Sequence, residues 1–454
     1  MNSVNAKRTN GWKYAATWIG LIVCIGLIKG SFAQTVNGDN MQNYFSGVCS
    51  RSFTSTGNFS FVALQSTPQG RSDLQNVCIR TAQTQGNVPS DYFDDLNAGS
   101  FETFKLDSLL FAQTENSTEM DRLQALRQGK RSGNSTAFDF NVNGNSVFGD
   151  TQQIARGGGA SADDAGGLLS KRWGFWLRLN AANGDKDATT LTGSLKSKQT
   201  GLAIGADRRV GANSVLGVSL TSRDSKARFG PDSAQGGMDS NAWSVSAYGS
   251  SFVFKDLYID AVANYGKINY ETRRTVFDLV TLRTASGSPD GTKVSAGAAI
   301  GYDAAFGGLT ITPSINYFYA DSKTDAFDET GAGGLDLSFG KQHYHSSTAH
   351  LDLALTYAVN SSSAVWLPYV HGQWVKEFAD QFDTFDVRFV NDNDPSSAPL
   401  AVQLDKLDNQ YFRVAAGVSA QFRDDISAYV DYQQLIGFEA VSFHNISLGL
   451  RIQF

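Results

Sequence analysis

The last nine residues of the chain alternate without interruption: Ile446, Leu448, Leu450, Ile452 and Phe454 are large and apolar, and Ser447, Gly449, Arg451 and Gln453 between them are polar or tiny. A period of two puts the two sets on opposite sides of a β-strand. Such a strand suits lipid on one side and water on the other. The same alternation recurs upstream and predicts twelve strands, near Trp173 to Ala182, Thr200 to Arg208, Val215 to Ser225, Asn241 to Phe252, Leu257 to Thr272, Lys293 to Ala305, Leu309 to Ala320, Ser346 to Ala358, Ala364 to Phe378, Gln410 to Phe422, Ile426 to Leu435 and Phe443 to Phe454. In the third, Leu216, Val218 and Leu220 oppose Gly217, Ser219 and Thr221. In the tenth, Phe412, Val414, Ala416, Val418, Ala420 and Phe422 face out, and Arg413, Gly417, Ser419 and Gln421 face in.

The intervals alternate as well. Short connections such as Val210 to Asn213, Phe306 to Gly308 and Arg423 to Asp425 take turns with long ones such as Arg273 to Thr292, Asp321 to His345 and Ala379 to Asn409. Outer-membrane barrels join their strands in this way, with short periplasmic turns and long outer loops. The expected fold class is all-β: a twelve-stranded antiparallel transmembrane barrel over 173–454, surrounded by outer-membrane lipid, monomeric, with both ends on the periplasmic side. Asn264, Asp352, Arg413, Ser419, Gln421 and Asp431 are the expected polar groups of its lumen.

Ahead of the barrel the period changes. Phe101, Phe104, Leu106, Leu109 and Leu110, then Met120, Leu123 and Leu126, recur at helical spacing and predict a helix within 101–131, stopped by Gly129. A helix of about 20 residues would cross a lumen roughly 30 Å long. An ordinary amphipathic helix in a small periplasmic or surface domain remains open. Residues 132–172 are rich in Gly, Ser, Asn and Asp and are expected to be a linker open to proteolysis.

The first 33 residues have the composition of an export signal: Lys7, Arg8 and Lys13, then an apolar core from Ala15 to Ile28, then small residues that predict cleavage between Ala33 and Gln34. Cys24 follows Val23, which does not suit a lipoprotein site. Export leaves Cys49 and Cys78 in an oxidising compartment, where an even count predicts a disulfide worth roughly 3 kcal/mol within the small region 34–100.

Composition is consistent with this reading. A mean hydropathy of −0.25 resembles a soluble protein, as it does for a barrel whose strands give half their residues to a wet interior. The 45 glycines, 8 prolines and 12% aromatics fit strands that bend, keep their ladder hydrogen bonds and carry interfacial girdles. A net charge of −6 gives no reason to expect nucleic acid.

Five stretches, in order, carry a family resemblance: Trp173-Gly-Phe-Trp-Leu177, Asn241-Ala-Trp-Ser-Val-Ser-Ala-Tyr248, Leu257-Tyr-Ile-Asp-Ala-Val-Ala-Asn-Tyr-Gly266, Leu367-Pro-Tyr369 followed by Trp374 and Glu377-Phe378, and the terminal Phe454. They resemble the β-domain of classical (type Va) autotransporters. The resemblance implies a twelve-stranded barrel that anchors and helps export its own N-terminal passenger, delivered by the Sec pathway and inserted by the barrel-assembly machinery, for which Phe454 would be the recognition signal. The helix at 101–131 is similar to the linker before the barrel in short members of the family. The departure is a passenger region of unusual brevity that shows no β-helical repeat.

Catalytic candidates are weak. Phe148-Gly-Asp-Thr151 looks like the Gly-Asp-Ser block of esterase passengers, but Thr151 stands in the nucleophile's place and no His precedes His343 to act as base. His343 and His345 lie two apart with His350 nearby, and read better as solvated loop residues than as metal ligands. His371 reads as a hydrogen-bonded interior residue beside Tyr369 and Gln373. No enzyme, cofactor or metal is expected. Two rivals to the translocator remain: a porin-like channel with a periplasmic plug, and a surface adhesin displayed on a barrel.

Overall fold

The computed structural model describes residues 36–54, 73–83, 92–93, 101–128, the backbone of 141–142 and 145–146, and 173–453 apart from turn residues 212, 231–235, 362, 380–383, 393, 395–396, 407, 423–425 and 439–440. The expected signal, the Ala33–Gln34 cleavage site, most of the linker, Phe148-Gly-Asp-Thr151 and Phe454 lie outside these residues.

Twelve antiparallel strands close on themselves: β1 (Trp173–Lys186), β2 (Leu195–Val210), β3 (Ser214–Phe229), β4 (Gly236–Phe252), β5 (Leu257–Phe277), β6 (Asp290–Tyr302), β7 (Leu309–Thr324), β8 (Gln342–Tyr357), β9 (Ala364–Glu377), β10 (Gln410–Phe422), β11 (Ile426–Ile436) and β12 (Val441–Gln453). Each pairs with the next, and β12 returns to β1 with Leu448 opposite Leu179 and Leu450 opposite Leu177. Closure satisfies every ladder N–H and C=O inside the sheet, which lipid itself cannot do. The alternation has its expected effect on exposure. Leu216, Val218 and Leu220 point outward and are exposed, while Ser219 and Thr221, at the alternate positions, are buried.

Most strands run further than the apolar pattern predicts, chiefly toward the long loops. On β5 the outward positions past Tyr265 are Lys267, Asn269, Glu271 and Arg273. Above the lipid a strand no longer needs apolar cover, yet its backbone bonds still favour pairing, so the sheet continues. Near the turns the correction is small: β6 stops at Tyr302, and Ala304–Phe306 pairs back on β7 within the turn.

Two outer loops build a second, four-stranded sheet from Phe327–Asp328, Leu337–Phe339, Thr384–Phe389 and Leu400–Gln403, in that order. On it sit two helices, α1 (Val36–Thr54) and α2 (Asp73–Gln83). Cys49 and Cys78 join them by a disulfide with Cα atoms 5.5 Å apart. Met41, Phe45 and Val48 of α1 and Leu74 and Val77 of α2 enter one core with Leu335, Phe339, Phe385 and Phe389 of the loops. At the sheet's last strand the Asn37 side chain donates to Gln403 O (2.8 Å) and accepts from Gln403 N (3.3 Å), standing in for a neighbouring strand. These helices and this sheet form a cap on the loop end of the barrel.

Candidate functional site

A third helix, α3 (Glu102–Gln128), fills the lumen. Its 27 residues make it about 40 Å long, enough to run the height of the wall. Phe104, Leu109, Leu123 and Leu126 are buried, but so are Asp107, Glu115, Asn116, Glu119, Arg122 and Arg127 on its other sides. An all-round buried helix with so many charges is tolerable because the surrounding wall is polar and answers them one by one.

The pairings form a ladder. At the loop end Glu102 lies 3.3 Å from Lys186 of β1 and accepts from Thr192 Oγ1 at 2.9 Å. Lys186 also meets Asp405 of an outer loop at 2.9 Å, and Lys105 donates to the Asp405 carbonyl at 3.1 Å. Burial pushes the Asp405 carboxyl up, but Lys186 and the hydroxyls of Thr192 and Thr189 bring it to a net position below the usual carboxylate range. One turn down, Asp107 takes Arg223 of β3 at 2.5 Å and the Ser240 hydroxyl of β4 at 3.0 Å. Glu115 pairs with Lys293 of β6, whose ammonium, like the Arg223 guanidinium, lies over the Phe111 ring. Glu119 accepts from Ser219 at 2.6 Å, and Asp121 meets Arg178 of β1 at 2.9 Å.

Past that point the signs reverse. Arg122 donates to Asp207 of β2 (Nε to Oδ2, 2.8 Å), and Arg127 pairs with Asp260 of β5, lies 3.8 Å from Asp303 and stacks on Tyr258. The helix is thus mostly acidic over its first two thirds and basic at its end. The wall is basic opposite the acids and acidic opposite the bases. The same polarity opposes the helix dipole correctly at both termini. Sliding α3 by one turn would break these pairs and leave several buried charges without their partners, so the ladder fixes its height and direction.

The six lumen positions read from the sequence occupy different roles. Arg413 reaches the helix, donating to Gln113 (3.1 Å) and Ser117 (3.3 Å). Asp352 accepts from Asn316 and Gln373 within the wall, and Asp431 accepts from Tyr369 (3.2 Å) and lies 3.6 Å from Arg178. Asn264 donates to Ser295 on the neighbouring strand. Ser419 and Gln421 touch no helix residue through a hydrogen bond. They line a cavity of about 100 Å³ between α3 and the β9–β12 side of the wall. The ion pairs Asp107–Arg223, Glu115–Lys293, Arg122–Asp207 and Arg127–Asp260 escaped sequence reading. Charged residues at inward parity on the strands were the available signal.

Close approach shapes the wall near the turn end. Tyr248 lies across Gly217, Tyr369 across Gly417 and Tyr429 across Gly449, each glycine directly opposite its tyrosine in the ladder. A Cβ at Gly449 would sit inside the Tyr429 ring.

His343 faces outward and meets Asp321 at 2.5 Å, and His371 faces the lumen 4.0 Å from Asp352. Among the described residues no three His, Cys, Asp or Glu side chains gather as a metal site.

The model of the autotransporter beta-domain family matches residues 175–433. Outer membrane protein A of Rickettsia conorii (strain ATCC VR-613 / Malish 7) is 24% identical over 264 residues, 56% of this chain and 13% of that protein. Outer membrane protein B of Rickettsia prowazekii (strain Madrid E) is 24% identical over 322 residues, 67% of this chain and 19% of that protein. The matched stretch thus spans less than a fifth of these relatives. Among solved structures, the translocator domain of autotransporter NalP from Neisseria meningitidis shares the fold with a TM-score of 0.51 at 14% identity, covering 76% of this chain and 99% of that one. A sealed barrel with a greasy exterior, a helix through its lumen and a family match over more than half its length together place the protein: this chain belongs to the autotransporter beta-domain family and is an integral barrel of the outer membrane.

Proposed function

We infer that the barrel exports its own N-terminal segment and then keeps it, so that α1 and α2 remain at the cell surface as a tethered cap. The direction of α3 carries this reading. Glu102 lies at the loop end beside Asp405, and Arg127 lies at the turn end beside Asp303, just past the close of β6. The described residues before α3 therefore belong to the outer side, while β1 begins on the periplasmic side. A chain delivered from the periplasm must pass 36–83 through the lumen before α3 fills it. Sec delivery and assembly-machine insertion are part of the proposal, as is the absence of any catalytic step. A periplasmic plug, the rival porin reading, would sit at the opposite end from α1 and α2.

The test is an epitope tag placed just after Gln34. Antibody is expected to label intact cells, and the tag is expected to migrate with the barrel on denaturing gels. Labelling only after the outer membrane is permeabilised would overturn export, and a tag released as a separate fragment would overturn tethering.

A further inference from the structure

The outward faces of β2 and β3 carry a group of like charges that translocation does not use. On β2 the outward positions run from Ile204 and Leu202 through Thr200 to Lys198 and Lys196. On β3 they run from Leu220 through Ser222 and Asp224 to Lys226 and Arg228. The register sets Lys198 directly opposite Lys226, and Lys196 directly opposite Arg228. Like charges facing across a ladder destabilise it. The nearby acids serve the flanks and not the central pair: Asp185 stands opposite Lys196, Asp239, opposite Lys226, is taken by Arg228 at 2.7 Å and Arg273 at 2.8 Å, and Asp224 accepts from Asn241. No carboxylate among the described residues pairs with Lys198 or Lys226.

Their position relative to the lipid gives the arrangement a use. Trp243 of β4, opposite Ser222, packs edge-on to Tyr265 of β5 at 6.5 Å. Such aromatics mark the membrane–water boundary. Lys198 and Lys226 lie four positions beyond Leu202 and Ser222, about 13 Å along the strand, at headgroup height, with stems long enough to reach down toward the boundary. The outward positions toward the loop end of β10–β12 carry Gln410, Gln434, Ser442 and His444 instead. Other outward cations toward the loop end, Lys267 and Arg273 on β5, Lys323 on β7 and Lys376 on β9, face no lysine across the ladder, so the cross-strand lysine pair belongs to β2 and β3.

We propose that Lys198 and Lys226, flanked by Lys196 and Arg228, form a binding site for the phosphate groups of an outer-leaflet glycolipid, which supplies the anion that the cross-strand lysines lack. The full chain, purified in non-ionic detergent and stripped of lipid, is titrated with lipopolysaccharide, with dephosphorylated lipopolysaccharide and with inorganic phosphate, and native mass spectrometry reads the complexes. Lipopolysaccharide is expected to bind, and Lys198→Thr with Lys226→Thr to weaken it about thirtyfold. Lys323→Thr, another outward lysine, on β7, is expected to stay within about threefold of the parent. Unchanged affinity of the double variant, or equal affinity for the dephosphorylated lipid, would overturn the site. So would saturation by inorganic phosphate at the same concentration, which marks an adventitious ion only. Heat-dependent gel migration confirms that each variant closes its barrel. A measurement on the parent protein needs no variant: bound lipopolysaccharide should shield Lys198 and Lys226 from amine acetylation, and equal labelling with and without it sinks the proposal.

Discussion

Single residues set how the wall closes and how the lumen is filled. Because a Cβ at Gly449 has no room beneath Tyr429, Gly449→Val is expected to cut the fraction of heat-modifiable, closed barrel. Gly372, outward on β9 with nothing near its would-be Cβ, provides the control: Gly372→Val should assemble normally, and equal losses in both would show that the tyrosine seat is irrelevant. In the lumen, Asp207→Ala strands the buried Arg122 charge, a loss of roughly 3–5 kcal/mol in a pair of this kind. Planar-bilayer conductance should rise as α3 loosens, and Arg122→Met added to it should restore the closed state. A double variant as leaky as the single one would argue against the pair. Parity along the strands is the signal that nominates Asp352, Arg413 and Asp431 as inward residues. The helix partners of Arg413, Gln113 and Ser117, were not legible, since they depend on the rotation and height of α3, which no local pattern encodes.

At the scale of elements, the barrel strands announced themselves through a period of 2, and α3 through two apolar groups at helical spacing, Phe101 to Leu110 and Met120 to Leu126, with a polar stretch between them. The cap did not. The buried stripe of α1, Met41, Phe45 and Val48, is separated by Gly and Asn residues that weaken any helical signal, and the four loop strands are two to six residues long. Short strands of this kind form only once tertiary partners exist. The disulfide is accordingly expected to matter for the cap alone. Replacing Cys49 and Cys78 by Ser removes roughly 3 kcal/mol of loop constraint, so α1 and α2 should become protease-sensitive on intact cells while heat-modifiable migration of the barrel is unchanged. Joint loss of both would refute that independence. Acid should act on the cap as well. Burial pushes the Asp278 carboxyl up, but the Thr281 N–H, Arg283 and the Val280 N–H bring it net below its ordinary value, and it holds Arg80 of α2 at 3.4 Å. A carboxylate lowered by folding stabilises the fold at every pH above its ordinary value and stops doing so as pH falls through the lowered one. Asp278 and Asp405 both follow this sign, so the cap stays docked down to about pH 4 and loosens below it. Hydrogen exchange over 73–83, corrected for its intrinsic pH dependence, checks this, and loss of protection already between pH 7 and 5 would contradict it.

At the scale of the whole molecule, the chain uses one physical rule twice. Lipid forces a sealed ladder on the outside, and the wet space this leaves inside can accept only a helix whose charges match the wall. The N-terminal region completes the outer face. Asn37 matters more here than its size suggests, because the strand it covers is the last of the outer sheet. Bare backbone at such a margin invites another polypeptide to zip alongside, and in a crowded bilayer the nearest candidate is a sister molecule. One carboxamide hems that margin at Gln403, so a neighbour diffusing past finds one stitch of the strand already taken.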